Sequence, residues 1–281
     1  MKKLLGVLIV VAFAGSAYAT TDMANETTSN WNGPTDDPTQ VGYFPLNENV
    51  YCVGTGWDGN YVWVSAGDQG GPPCRFYLYD EYGNLVDQGG QGGGASGWGE
   101  RDLAFKDGIM FGSYSNLVGG HSYGGASTFI YEGYFIGAPI NPNRALAYDG
   151  TYFYSGGFST NLYRMEWNGT WGSASVVTDL GGPYSGTYGL AFDCDQECLW
   201  MTTASSTGEI YQFDLTGFPL AVFVDPAHPT FGGCEMANTT QYGAVLAALA
   251  QETPDGIVFY DVQSLPSPVQ PASWGEIKSL F

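Results

Sequence analysis

A chain of 281 residues with 44% hydrophobic and 16% aromatic side chains can bury a sizeable core in one domain. Eight Lys and Arg against 28 Asp and Glu give a formal charge of −20, which excludes nucleic acid and anionic membrane surfaces as electrostatically favoured partners. Only two histidines are present, so histidine-rich catalytic or metal sets are out of reach.

Met1–Ala19 reads as a secretory signal: Lys2 and Lys3 form the charged start, Leu4–Ala14 the apolar stretch, and Ala17-Tyr18-Ala19 a small-x-small cleavage site. The apolar stretch is shorter than the roughly 20 residues that span a bilayer, and no other segment qualifies. The expectation is export, to the periplasm, the cell surface or the medium. Thr20–Gln40 is polar, with Pro34, Asp36, Asp37 and Pro38, and reads as a flexible lead-in.

From residue 41 the chain repeats itself. Gly54–Trp57 precedes Asp58-Gly59 and then Tyr61–Ser65. Arg101–Phe105 precedes Asp107-Gly108 and then Ile109–Ser113. Arg144–Tyr148 precedes Asp149-Gly150 and then Tyr152–Ser155. Tyr188–Gly217 is the clearest copy: three short strands, the third alternating apolar and polar as Ile210-Tyr211-Gln212-Phe213-Asp214. Leu220–Val224 adds a fourth strand, and Glu235–Asn238 with Ala244–Leu249 is a degenerate last copy. The turn positions 58, 107, 149, 193 and 238 recur at about 42–49 residues, the period of four-stranded propeller blades.

Tyr43-Phe44 stands before Asp58 as Tyr134-Phe135 stands before Asp149, so it occupies a fourth-strand position ahead of any complete unit. The last unit supplies three strands, ending at Ile257–Asp261. The prediction is an all-β propeller of about five four-stranded blades over residues 41–262, closed by the N-terminal strand so that no edge stays open. Six blades follow only if Thr20–Tyr51 holds further structure. Gly89–Gly99 and Asn116–Ser127, the latter holding His121 and Tyr123, read as Gly-rich loops. The Pro-rich tail, residues 263–281, ends in a short docked helix capped by Ser273 with Glu276 three residues on.

The phrases Gly189-Leu190-Ala191-Phe192-Asp193 … Leu199-Trp200 and Arg144-Ala145-Leu146-Ala147-Tyr148-Asp149-Gly150 resemble the YVTN/NHL/streptogramin-lyase-like propeller superfamily. Secreted bacterial propellers ending in Ser-Trp-Gly-x-Ile-Lys are similar, a segment present here as Ser273–Lys278. The resemblance spans about residues 41–281 and implies the fold. Relatives often carry six or seven blades. The lyases of that group are understood to use histidine with a metal at one propeller face, a pattern His121 and His228 do not reproduce.

Arg101 and Arg144 sit four residues before the matching aromatics Phe105 and Tyr148, at one propeller end. They suit an anionic ligand or sugar acid, with Trp98 and Tyr123 as loop aromatics for stacking on sugar rings. The competing expectation, which the acidic composition favours, is salt bridging to Glu100 or Asp102. Asp193, Asp195 and Glu197 alternate in one loop and are the best set for calcium, although Asp-x-Asp-x-Asp-Gly with a distant Glu is missing. Beyond that calcium, no cofactor is implied. The Asp-Gly pairs are better explained as hairpin turns.

Five cysteines in an exported chain suggest disulfides. Cys194 with Cys198 and Cys52 with Cys74 are candidate pairs, and Cys52 with Cys234 is an alternative. No Gly-x-Ser-x-Gly elbow is present. These features together predict a secreted, non-catalytic binding or scaffold protein for a glycan or protein ligand at a propeller face. The alternatives are a lyase, lactonase or glycan hydrolase using channel carboxylates, and a self-assembling subunit of a surface structure.

Overall fold

Successive side chains of a strand point to opposite sides, and here both sides are buried against neighbouring sheets. In Val62–Ala66 (β3), Val62, Val64 and Ala66 enter one apolar cluster while Trp63 enters another. In Cys198–Thr203 (β15), Cys198 and Trp200 face one way and Leu199 and Met201 the other. Sheets sandwiched on both faces explain why these strands read as continuous apolar runs rather than as alternations.

The computed structural model describes residues 38–46, 51–68, 73–93, 97–263 and 265. They form five four-stranded antiparallel sheets. The first blade is β2 (Cys52–Trp57), β3, β4 (Arg75–Tyr79) and β5 (Leu85–Gly90). The second is β6 (Leu103–Lys106), β7 (Ile109–Tyr114), β8 (Leu117–Tyr123) and β9 (Phe129–Ile136). The third is β10 (Ala145–Tyr148), β11 (Phe153–Gly156), β12 (Thr160–Glu166) and β13 (Val176–Tyr184). The fourth is β14 (Thr187–Asp193), β15, β16 (Glu209–Asp214) and β17 (Pro219–Val224). The fifth takes β18 (Phe231–Thr239), β19 (Gly243–Ala250) and β20 (Gly256–Asp261) from the end of the chain and β1 (Thr39–Pro45) from its start.

That closure is the one the sequence predicts. Tyr43 pairs with Val258 and Phe44 with Ile257, after a bulge between Gln40 and Gly42. Five apolar clusters fill the five spaces between neighbouring blades. Fully buried aromatics such as Phe76, Phe111, Phe153, Trp200 and Phe259 supply much of each, at about 1.5–3 kcal/mol per large side chain. The expected signal segment, most of the lead-in and the C-terminal helix lie outside the described residues; the end of the lead-in is corrected, since Thr39 and Gln40 already pair with Asp261 and Tyr260 in β1.

The repeated aspartate is a turn organiser. Asp58 Oδ1 accepts the Asn60 and Tyr61 amides while Oδ2 accepts Trp63 Nε1. Asp149 binds the Thr151 and Tyr152 amides and the Tyr154 hydroxyl in the same way. Asp193 binds the Asp195 and Gln196 amides and Trp200 Nε1. Each carboxylate thus ties a hairpin to the large aromatic of its second strand.

Two further expectations are corrected. Asn116–Ser127 is not a loop, because most of it is strand β8. Its glycines are openings for other side chains: a Cβ on Gly119 would overlap the Glu100 carboxylate, and one on Gly120 the Trp171 ring. The cysteines are not bridged: none of the five forms a disulfide. Cys198 is buried on β15 against Gln212 Nε2, while Cys194 is exposed in the turn beside Asp195. Cys74 points to the Gly97 carbonyl rather than to Cys52.

The inner strands β2, β6, β10, β14 and β18 meet around a single carboxylate. Asp102, fully buried, accepts the backbone N–H of Leu146 at 2.8 Å and of Leu190 at 2.7 Å on Oδ2, and of Cys234 at 3.0 Å on Oδ1. These donors stand at equivalent places in the third, fourth and fifth blades. The positions equivalent to Asp102 itself are Gly54, Ala145, Gly189 and Gly233. A Cβ on Gly233 would overlap Asp102 Oδ1, and one on Gly54 the Arg101 carbonyl. One blade therefore carries a long polar side chain at this level and the other four make room for it. Burial pushes the Asp102 carboxyl well above the usual carboxylate range, against the pull of its N–H donors, and the Glu235 charge pushes it further.

Replacing Asp102 by Ala strands three buried N–H groups at about 1–3 kcal/mol each. Urea unfolding should show a loss of at least about 3 kcal/mol for Asp102→Ala and a smaller loss for Asp102→Asn, which keeps one acceptor. An unchanged midpoint would contradict the bridging role. In thiol titration, denatured protein should yield five reactive thiols without a reductant. Native protein should react first at the exposed Cys194.

Candidate functional site

In an antiparallel meander the start of the first strand and the turn between the second and third lie at one end of the sheet. Arg101, Arg144 and Tyr188 occupy equivalent places just before or at the start of β6, β10 and β14, so all three reach the same end of the ring. Arg101 is held by its backbone: its N–H donates to the Ser113 carbonyl at 2.9 Å and its carbonyl accepts the Ser65 hydroxyl at 2.7 Å. The Arg144 N–H donates to the Gly156 carbonyl at 3.0 Å.

The two guanidinium groups lie against aromatic faces. Arg144 Cζ is 3.7 Å from the Phe158 ring centre and 5.3 Å from that of Tyr188. Arg101 Cζ is 5.8 Å from the Trp98 ring centre, and Trp98 in turn meets the exposed Tyr51 edge-on at 6.3 Å. Neither arginine takes part in the ion pairs found among the described residues. The expected salt bridges to Glu100 and Asp102 are not formed, because each acid is committed elsewhere. Glu100 Oε1 is 2.7 Å from His121 Nε2, and Asp102 bridges the blades.

Buried donors without acceptors result. Arg101 is only 7% exposed, and its Nη1, together with Arg144 Nε and Asn143 Nδ2, has no hydrogen-bond partner. Burial, and then the positive charge of Arg101, pull the Arg144 guanidinium below its ordinary value. Two like charges lie at one end of the ring with Arg101 Nη1 and Arg144 Nε left without acceptors, while Tyr188 hydrogen-bonds the Arg144 guanidinium. That arrangement suits a carboxylate or another planar anion, the acceptor that guanidinium binds through two parallel hydrogen bonds.

The other sequence candidates separate from this group. Tyr123 donates its hydroxyl to Asp87 at 2.6 Å and packs against Trp63, Tyr61 and Phe129, which makes it an anchor between the first two blades. Trp98 remains at the rim, 41% exposed. Asp193, Asp195 and Glu197 do not come together as ligands; among the described residues no group of three or more His, Cys, Asp or Glu is placed to hold a metal. Asp193 Oδ2 is already bonded to Trp200 and Gln263.

Sequence reasoning missed Tyr188 and Phe158. Tyr188 was available to it, since it aligns with Arg101 and Arg144 in the repeat; Phe158 follows β11 and carries no repeat signal. It also missed that each histidine is paired with a glutamate, His121 with Glu100 and His228 with Glu252.

No protein-family model matches the chain, and no curated protein matches it. Among solved structures, a crystal structure of Myxococcus xanthus glutaminyl cyclase is similar at a TM-score of 0.60 and 14% identity, over 80% of this chain and 96% of that one. At this identity the likeness concerns the propeller fold.

Asp87 accepts the Tyr123 hydroxyl, the Ser127 amide and the Ser127 hydroxyl, each at 2.6 Å. These bonds hold its carboxyl well below the usual carboxylate range. Its stabilisation is therefore complete above about pH 3.9 and is lost as pH falls through its lower folded value. Asp87→Asn should be less stable than wild type at pH 7, and the difference should shrink in acid, read by urea midpoints from pH 7 to 2. A pH-independent difference would contradict this account.

Proposed function

We propose that this is an exported binding protein that holds a carboxylate-bearing glycan, of the sugar-acid type, at the propeller mouth between Arg101 and Arg144. The single observation that carries the reading is the pair of partly or largely buried guanidinium groups, each with a nitrogen left without an acceptor and neither in an ion pair among the described residues, in a chain with 28 acids. Leaving a buried charged donor unsatisfied costs more than an ordinary hydrogen bond returns, and here the abundant acids do not relieve it. Trp98, Phe158 and Tyr188 support the reading as flat apolar faces beside the charges, which is what a sugar ring needs. Asp102, beneath them, is spent on backbone N–H groups, which favours binding over channel-carboxylate hydrolysis.

The protein's own charge of −20 repels a polyanion at a distance. Salt screens that long-range repulsion more than it screens partly buried pairs. The association rate for a polyuronate should therefore rise, not fall, between low and physiological ionic strength. Arg144→Ala and Arg101→Ala should each weaken retention about tenfold to a hundredfold, the worth of hydrogen bonds to a charged group. The assay is surface-immobilised polyuronate against a neutral glycan of the same backbone. Equal retention of both glycans, or retention unchanged by both substitutions, would contradict the proposal. Release of shortened or unsaturated product in the same assay would replace binding by catalysis.

A further inference from the structure

The geometry points to a second site, a receptor for a small organic cation carrying a primary or methylated ammonium group, in the cleft of the second blade where Glu100 faces three tyrosines. The cleft holds about 170 Å³ and is lined by Glu100, Tyr114, Tyr131 and Tyr134, with Gly93 and Gly119 among the small residues that open it. It lies beside the mouth in sequence, since Glu100 precedes Arg101, but its chemistry is the reverse. Among the described residues that line it, Glu100 is the one with a charged side chain.

Three observations carry the assignment. First, the carboxylate is 3% exposed and only half satisfied: Oε1 meets His121 Nε2 at 2.7 Å, and Oε2 has no partner. A buried carboxylate oxygen without a donor is a deficit that a ligand's N–H or positive charge removes. Second, His121 meets only one of the two carboxylate oxygens. Its ring is wedged between Phe76 at 4.8 Å and Tyr131 at 5.2 Å, and Nδ1 has no partner.

Third, the remaining walls are phenol rings, whose negative faces attract cations. The Glu100 charge, after burial, raises the Tyr131 phenol above its ordinary value, which places that ring within electrostatic reach of the carboxylate. The backbone is shaped for the acid: a Cβ on Gly112 or on Gly119 would overlap its oxygens. Two strand glycines in neighbouring strands thus keep a half-paired carboxylate at the base of an aromatic cleft. The wider acidity of the chain draws cations toward the surface.

The test is a titration of the full chain with methylammonium chloride and with tetramethylammonium chloride, against sodium chloride at equal ionic strength. Binding is read by the tyrosine ring signals in NMR spectra. A saturable shift with either organic cation, absent with sodium, is expected. Tyr134→Leu, a substitution at a partly exposed residue, should weaken it about tenfold, the worth of one desolvated cation–π contact. Glu100→Gln should abolish it. A response to methylammonium alone would assign the primary ammonium, and one to tetramethylammonium the methylated form. No saturable response from wild type would overturn the inference, as would a response that Tyr134→Leu leaves unchanged. If Glu100→Gln does not fold, Tyr134→Leu alone decides. Failure here would leave the arginine mouth standing, since that site is read with anionic glycans.

Discussion

One carboxylate reaches the inner strands of three blades other than its own. Asp102 accepts N–H groups from β10, β14 and β18, while Gly54 of β2 lies against the Arg101 and Asp102 backbone. A propeller is otherwise held by contacts between neighbours only, blade to blade around the ring. The Asp102 bonds tie its blade to the backbones of the fourth and fifth blades as well as to that of its neighbour, the third. Arg101, Arg144 and Tyr188 stand next to the residues that this carboxylate ties together.

The same feature explains why the arginines are free. In an acidic chain the nearest carboxylates would be expected to capture them. Glu100 and Asp102 flank Arg101 directly in sequence, yet one turns to His121 and the other to the axis. Structure has withdrawn the local acids from the local bases, and the two proposed sites, one for an anion at the mouth and one for a cation in the cleft beside it, rest on adjacent residues.

Much of this architecture was legible in the chain. The Asp turns at 58, 149 and 193 recur because each one caps its hairpin and anchors an aromatic, and that local chemistry leaves a pattern in sequence. The Tyr43-Phe44 strand was legible because a fourth-strand phrase stood where no first blade could use it. What stayed hidden depends on contacts between distant residues. Nothing near Asp102 in sequence announces donors at Leu146, Leu190 and Cys234. Gly119 and Gly120 looked like loop glycines, because the Glu100 and Trp171 side chains that fill their places come from elsewhere in the chain. The cysteines misled for a related reason: an expected export suggested bridges, while burial of Cys52, Cys74, Cys198 and Cys234 without disulfides is what the packing uses.

The central claim is that Asp102 locks the blades to one another through their backbones. Native-state hydrogen exchange at the Leu146, Leu190 and Cys234 amides tests it most directly. The account predicts that these three exchange only through global unfolding, with protection equal to the full stability of the protein, and that all three lose protection together in Asp102→Asn. Exchange through independent local openings, each with its own free energy, would contradict it.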